Sequence, residues 1–320
     1  MTERAPRPRP PIPTGISKEA QAYLSATNPF TRTVSAPESL DDTDGWLRYV
    51  KASDDGLRSV MASRLAPDLP IDRTDTTIDG VPTYVFRPHR VDDGADTPIY
   101  LDIHGGALIM GGGEACAVMA IGGAMARDMI TWAVDYRMPP LHPYPASLDD
   151  CITVYRALLE RRSPEKIFVG GGSAGGNLAA ALMLRAKDEG LAMPAGLLLM
   201  TPEVDLTESG DSFSTNLGID HVLGLLMNVN LLYANGHDLT HPYLSPLFGD
   251  VSGFPPTFLQ AGTRDLFLSN TVRMHRKLRE AGVDAELHVW DAMPHGGFGG
   301  APEDREVLAE VRRFLSRHRR

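Results

Sequence analysis

The chain has 320 residues, enough for one large domain with a proper core, and its 42% hydrophobic and 22% charged content is that of a soluble globular protein. A formal net charge of −10 excludes a basic, phosphate-neutralising surface, so nucleic acid is not an expected partner and anionic membrane surfaces are disfavoured. No stretch reaches about 18 consecutive apolar residues, so no membrane span is expected.

The opening MTERAPRPRPPIP holds five prolines in thirteen residues and lacks an apolar h-region. Residues 1–14 are therefore expected to be extended or disordered, not a secretory signal, which makes the cytoplasm the default address. Amphipathic patterns over Glu19–Ala26 and Gly45–Arg64 predict helices. From about residue 75, short apolar runs alternate with helical patterns. Strands are predicted at Val81–Arg87, Pro98–Ile103, Thr131–Asp135, Lys166–Val169, Gly196–Met200, Thr257–Gln260 and Ala285–Trp290. Several are continuous apolar runs, as in strands covered on both faces.

Between the strands, Leu148, Cys151, Ile152, Tyr155, Leu158 and Leu159 form one helical stripe over Ala146–Leu159. Ala174–Lys187 is apolar nearly all round, the mark of a buried helix. Ser269 is placed to cap a helix running to Ala281, with Gly282 as its stop, and a last helix starts near Pro302 and buries Val307, Val311, Phe314 and Leu315. Residues 204–248 break the alternation, being too apolar for a disordered loop and too long for a simple connection. A helical insertion there is expected to join the N-terminal segments, about 15–65, as a cap. The whole reads as a single α/β domain with a mostly parallel sheet and helices on both faces. Cys116 and Cys151 are too few for a disulfide framework and lie in no C-x-x-C pair, so two reduced thiols are expected, although a single bridge stays open.

Reactive groups of such sheets collect beyond the carboxyl ends of the strands. One such end reads GGGSAGGN over residues 170–177. Gly170, Gly172 and Gly175 fit the dinucleotide fingerprint G-x-G-x-x-G, and Gly171 to Gly175 fit G-x-S-x-G, the elbow that presents a serine nucleophile. The nucleotide reading would need an acid about 20 residues on. Glu203 lies 28 beyond Gly175, and that reading leaves other strand-end motifs unused.

A serine nucleophile needs a histidine base, a carboxylate to orient it and donors for an oxyanion. Along the chain these partners follow the serine in the order acid, then histidine. Asp265 follows the strand Thr257–Gln260, and His295 follows the strand ending at Trp290. Asp291 is the nearest rival acid. After Pro98–Ile103 comes His104-Gly105-Gly106-Ala107, small residues whose N–H groups can approach a developing oxyanion. Ala174, opening the buried helix, adds a donor at the positive end of a helix dipole.

The set HGGA, YRMPPLHPYPA, GGSAGG, TPEVDL, the Asp265 loop and MPHGGF resembles the hormone-sensitive-lipase-like branch of the α/β-hydrolases from about residue 75 to the C-terminus. That resemblance implies an α/β-hydrolase fold and a bacterial carboxylesterase acting on short to medium acyl esters. It implies Ser173 as nucleophile, His295 as base, Asp265 as its orienter, and an oxyanion hole from Gly106, Ala107 and Ala174. It implies no cofactor and no metal, and pairing of two copies through the last strand and helix. Four positions depart from the family pattern: Ala107 replaces a glycine, Leu108 an aromatic residue, Gly172 an acid and Leu141 a glutamate.

His104 is expected to shape the oxyanion loop without reacting. His237, Asp238 and His241 read either as a polar turn or as part of a metal site, and the turn is preferred because no further ligands cluster nearby. Glu203 and Asp205 are candidates to hold the cap base or the active-site loop. A lactone or amide hydrolase with the same triad is the alternative to an esterase.

Overall fold

A computed structural model of the chain describes residues 9–26, 35–62 and 68–319. Part of the expected disordered start (1–8) and parts of the expected cap (27–34 and 63–65) lie outside the described residues. In chain order the elements are α1 Lys18–Ser25, α2 Thr43–Ala62, β1 Ile71–Ile78, β2 Val81–Pro88, β3 Ile99–Ile103, α3 Glu114–Arg127, β4 Ile130–Val134, α4 Ala146–Leu159 and β5 Ile167–Gly172. They continue with α5 Ala174–Asp188, β6 Gly196–Met200, α6 Ser212–Thr215, α7 Met227–Ala234, β7 Thr257–Gly262, α8 Leu268–Glu280, β8 Ala285–Trp290 and α9 Pro302–His318.

One eight-stranded sheet runs β1-β2-β4-β3-β5-β6-β7-β8. β2 is antiparallel to both neighbours and every pair from β4 to β8 is parallel, as expected of α/β architecture. β4 and β7 are buried along their whole length, which is why they read as unbroken apolar runs. α5 is buried nearly all round beneath the sheet centre. Cys116 and Cys151 are free and buried in separate helices. No helix among the described residues is long and apolar enough to cross a membrane.

The structure adds to and corrects the sequence reading at four places. β1, Ile-Asp-Arg-Thr-Asp-Thr-Thr-Ile, is an exposed edge strand whose charges hide its strand character and also deter edge pairing. α3 is small and alanine-rich, with a weak apolar stripe, and no pattern delimited it. α8 begins at Leu268 without a cap from Ser269. The Ser269 hydroxyl instead accepts from the Ser212 N–H and its N–H donates to Ser212 Oγ, both at 2.9 Å, stapling α6 to α8. Residues 204–248 are helical only in α6, α7 and one short turn. Hydrogen bonds fix the rest: Asn177 Nδ2 donates to the carbonyls of Glu203 and Leu244, and Leu206 N–H donates to Ser245 Oγ.

Register aligns the strand ends. Ile103 pairs with Gly171 and Val134, Gly172 with Met200, Met200 with Gln260, and Gly262 with Trp290. The loops opening at His104, Ser173, Thr201, Thr263 and Asp291 therefore leave the sheet along one edge. The turn from β5 into α5 has no steric slack, because a Cβ at Gly175 would sit 1.9 Å from the Ile103 carbonyl oxygen. At Gly172 the nearest atom to an added Cβ is 3.6 Å away, so the departure there is not imposed by space. Gly175→Ala is expected to destabilise the protein by about 3 kcal/mol or more in urea unfolding. Gly172→Ala should stay within about 1 kcal/mol of wild type, with less chain entropy to lose.

Candidate active site

Ser173 sits between β5 and α5 at φ 57°, ψ −123°, a left-handed conformation costly for a residue with a Cβ, about 1–3 kcal/mol. Hydrogen bonds hold it there. Its N–H donates to the Met200 carbonyl at 2.9 Å, and its own carbonyl accepts from Gly176, Asn177 and Glu203. The sharp turn lifts the serine out of the strand path while α5 remains buried below.

Asp265 and His295 come together as the strand ends require. His295 Nδ1 lies 3.1 Å from Asp265 Oδ1, and both side chains are buried. The carboxylate fixes the tautomer: Nδ1 carries the proton toward Asp265, which leaves Nε2 as the basic nitrogen. Asp265 Oδ1 also accepts from the Phe267 N–H at 2.8 Å, and the Phe267 ring meets the imidazole edge-on at 5.0 Å. Burial, the largest single influence, lowers the His295 pKa, but the charge and hydrogen bond of Asp265, with Asp220 adding, take part in turning this into a net rise. Asp291, the rival acid, is exposed and faces Thr263.

The His104–Ala107 loop lies against the serine. A Cβ at Gly105 would touch Gly172 O at 2.9 Å and Ser173 Cβ at 3.4 Å. Gly106 has φ 133°, Ala107 φ 53° and Leu108 φ 64°, so the alanine accepts a left-handed backbone that ordinarily favours glycine. The N–H groups of Gly106, Ala107 and Ala174 make no hydrogen bond among the described residues. They are donors without acceptors beside Ser173. His104 is buried, stacked 4.0 Å from Tyr136, with Nδ1 donating to the Gly105 carbonyl at 2.8 Å. Burial pushes its pKa down to about 4, so it is a neutral brace of the loop.

Two buried carboxyls frame the site. Asp220, one of five acids in the 204–248 segment, carries no local signature in the sequence that sets it apart. Its Oδ2 accepts from the Leu266 N–H at 2.7 Å and its Oδ1 from Val222 at 2.8 Å, tying the insertion to the Asp265 loop. Asn216 Nδ2 donates to the Asp265 carbonyl at 2.8 Å, a second tie of the same kind. Burial, with the Asp265 charge adding, pushes Asp220 up to about 6. Glu203 is fully buried, and its N–H donates to the Ser173 carbonyl while its carboxyl feels the His295 charge. Burial holds it at about 8, largely protonated at neutral pH. His237 and His241 pack around the Tyr144 ring, and Asp238 accepts from the Thr240 N–H. Among the described residues no group of three or more His, Cys, Asp or Glu side chains is placed to hold a metal.

A family profile described as the alpha/beta hydrolase fold matches residues 100–298. An esterase of Acinetobacter venetianus is 33% identical over 255 residues, covering 73% of this chain and 83% of the relative. Carboxylesterase NlhH of Mycobacterium tuberculosis is 30% identical over 281 residues, covering 83% and 85%. Among solved structures, esterase E25 superposes with a TM-score of 0.89 at 38% identity over 99% of both chains. An esterase from the bacterial hormone-sensitive lipase family superposes with a TM-score of 0.82 at 28% identity, over 95% of this chain and 99% of the other. With its sheet order, its strand-end loops and these relatives, the chain belongs to the hormone-sensitive-lipase-like branch of the α/β-hydrolases.

Proposed function

We propose that the protein is a serine carboxylesterase with Ser173 as nucleophile, His295 as base and Asp265 as its orienter. The observation that carries this is the 3.1 Å His295–Asp265 pair, placed by strand register on the same sheet edge as the strained Ser173 turn. The protein is a carboxylic-ester hydrolase, in keeping with the esterases it resembles.

In the first half-reaction His295 Nε2 takes the Ser173 hydroxyl proton as Oγ attacks the ester carbonyl carbon. The carbonyl oxygen becomes an oxyanion, held by the N–H groups of Gly106, Ala107 and Ala174. The C–O bond to the alcohol then breaks, and His295 returns the proton to the departing alkoxide. Water, deprotonated by His295, attacks the acyl-serine, and the carboxylic acid leaves as Ser173 regains its proton. Asp265 stabilises the imidazolium in both halves without itself being protonated.

The proposed substrates are esters of short to medium acyl chains, the class the family resemblance implies. A cavity of about 560 Å³ is lined by Tyr49, Leu225, Leu226 and Val229, among others. Ser173 does not line it, but Tyr49, Leu226 and Val229 share an apolar cluster with Ala107 and Phe267, which flank the serine and the histidine. Of the cap, α2 and the 204–248 segment line this space, whereas α1 packs on the segment around His295.

Ser173→Ala should reduce hydrolysis of p-nitrophenyl butyrate by at least about 10³-fold with the circular dichroism spectrum unchanged. Undiminished turnover would sink the proposal, and a panel of lactones and amides beside graded esters tests the alternative substrates. Because His295 must be neutral to act as base and its pKa is raised, kcat/KM should rise with pH through a value above the ordinary imidazole pKa of about 6.5. In Asp265→Asn that limb should move to lower pH with a much lower plateau. The same linkage makes the pair most stabilising below about pH 6.5, and the contribution fades as pH climbs through the folded pKa.

A further inference from the structure

We infer that Asp54, on α2, is a positioning residue that sets the oxyanion loop for catalysis from the cap side. The inference rests on the assignment of Gly106 and Ala107 as oxyanion donors. The loop they belong to is locally uphill: Ala107 and Leu108 are two successive residues with side chains at φ 53° and 64°. Such a backbone persists only where its surroundings over-determine it.

Several contacts do so. Gly106 O accepts from Ile109 and Met110, the Tyr136 hydroxyl donates to the His104 carbonyl, and Gly113 N–H donates to Asp135 Oδ1. All of these lie within residues 104–136. A further anchor comes from the cap: the Gly111 N–H donates to Asp54 Oδ1 at 2.6 Å, across 57 residues of sequence. Gly111 is packed on the root of the loop, since an added Cβ would meet Gly105 O at 2.6 Å and His104 Nδ1 at 2.7 Å. Any shift of Gly111 is therefore passed directly to Gly105, whose neighbour Gly106 offers the first donor.

The rest of α2 is arranged for the same purpose. Trp46, Tyr49, Val50 and Asp54 share one helical face. Trp46 and Tyr49 are buried in a cluster with Ala107, Ile109 and Met110. Burial raises the Asp54 carboxyl, the Gly111 N–H opposes this, and Asp55 and Asp135 add to the rise. A carboxyl is thus held at this point of the interface although ionising it there costs stability. Its return is an acceptor that holds the Gly111 N–H, and with it the loop, while negative charge develops on the substrate oxygen.

The test compares Asp54→Ala, Asp54→Leu and Asp54→Asn in the full-length protein. Leu keeps the packing volume without an acceptor, and Asn keeps an acceptor without the charge. Turnover of p-nitrophenyl butyrate is measured with the inhibition constant of a trifluoromethyl ketone, whose Ser173 adduct places an oxyanion on the same donors. Asp54→Leu and Asp54→Ala are expected to lower kcat by about ten- to a hundredfold, with KM within about twofold and ketone affinity weakened in step with kcat. Asp54→Asn should recover most of both and melt no lower than wild type. Unchanged kcat and ketone affinity in the Leu variant overturns the role of Asp54, as does a rise in KM at constant kcat. If both Leu and Ala variants fail to fold, loss of kcat in a folded Asn variant without weaker ketone binding also overturns it. Wild-type protein that forms no ketone adduct overturns the Ser173 assignment, and the proposal with it.

Discussion

Helix α5 begins one residue after strand β5 ends, and this is possible only because the chain has no side chain where the two pass closest to β3. A Cβ at Gly175 would overlap the Ile103 carbonyl, and one at Gly171 would lie 2.2 Å from the same oxygen. The close approach forces the intervening residue into a left-handed backbone, and that residue is Ser173. Its half-buried position at the end of the sheet, its neighbour Ala174 at a helix N-terminus, and the contact with Gly105 all follow from this one steric fact. The buried surface of α5 and the parallel strands supplies the energy that keeps the strain in place.

Each loop around the serine is then braced by something outside the central sheet. Ile16, just before α1, and Ala20 and Leu24 on it pack against Ala292, Met293 and Phe298, on either side of His295. The 204–248 segment reaches the Asp265 loop through Asn216, Asp220 and the Phe213–Phe267 contact. α2 covers the oxyanion loop. Loops at strand ends bury little surface of their own, so their geometry depends on neighbours that do. The cap segments thus enclose substrate space and also stiffen the reacting groups.

The parts of this arrangement that could be read in the sequence are those where a local pattern and a topological rule coincide. Asp265 and His295 stood out because each follows an apolar run that must be a strand, in the order the fold demands. Five of the seven expected strands, β3 to β7, were legible because burial on both faces leaves nearly unbroken apolar letters, whereas β2 and β8 showed as mixed runs. β1 was not legible, because an edge strand facing water looks like a polar loop. Asp220, Asn216 and Asp54 carry no local signature either. Each meets its partner through packing of segments dozens of residues apart, and a single polar residue in an amphipathic stretch reads as ordinary surface. The capping role expected of Ser269 failed on the same ground, for its hydroxyl found Ser212 in space before its own helix.

The contact between α1 and the start of α9 has a consequence for how the histidine is sheltered. Ser17 binds Glu303 through both its N–H and its hydroxyl, across 286 residues, while the apolar face of α1 rests on the segment from Ala292 to Ala301. α1 therefore works as a clasp: the strands pair without it, but the loop bearing His295 is covered only when α1 is docked.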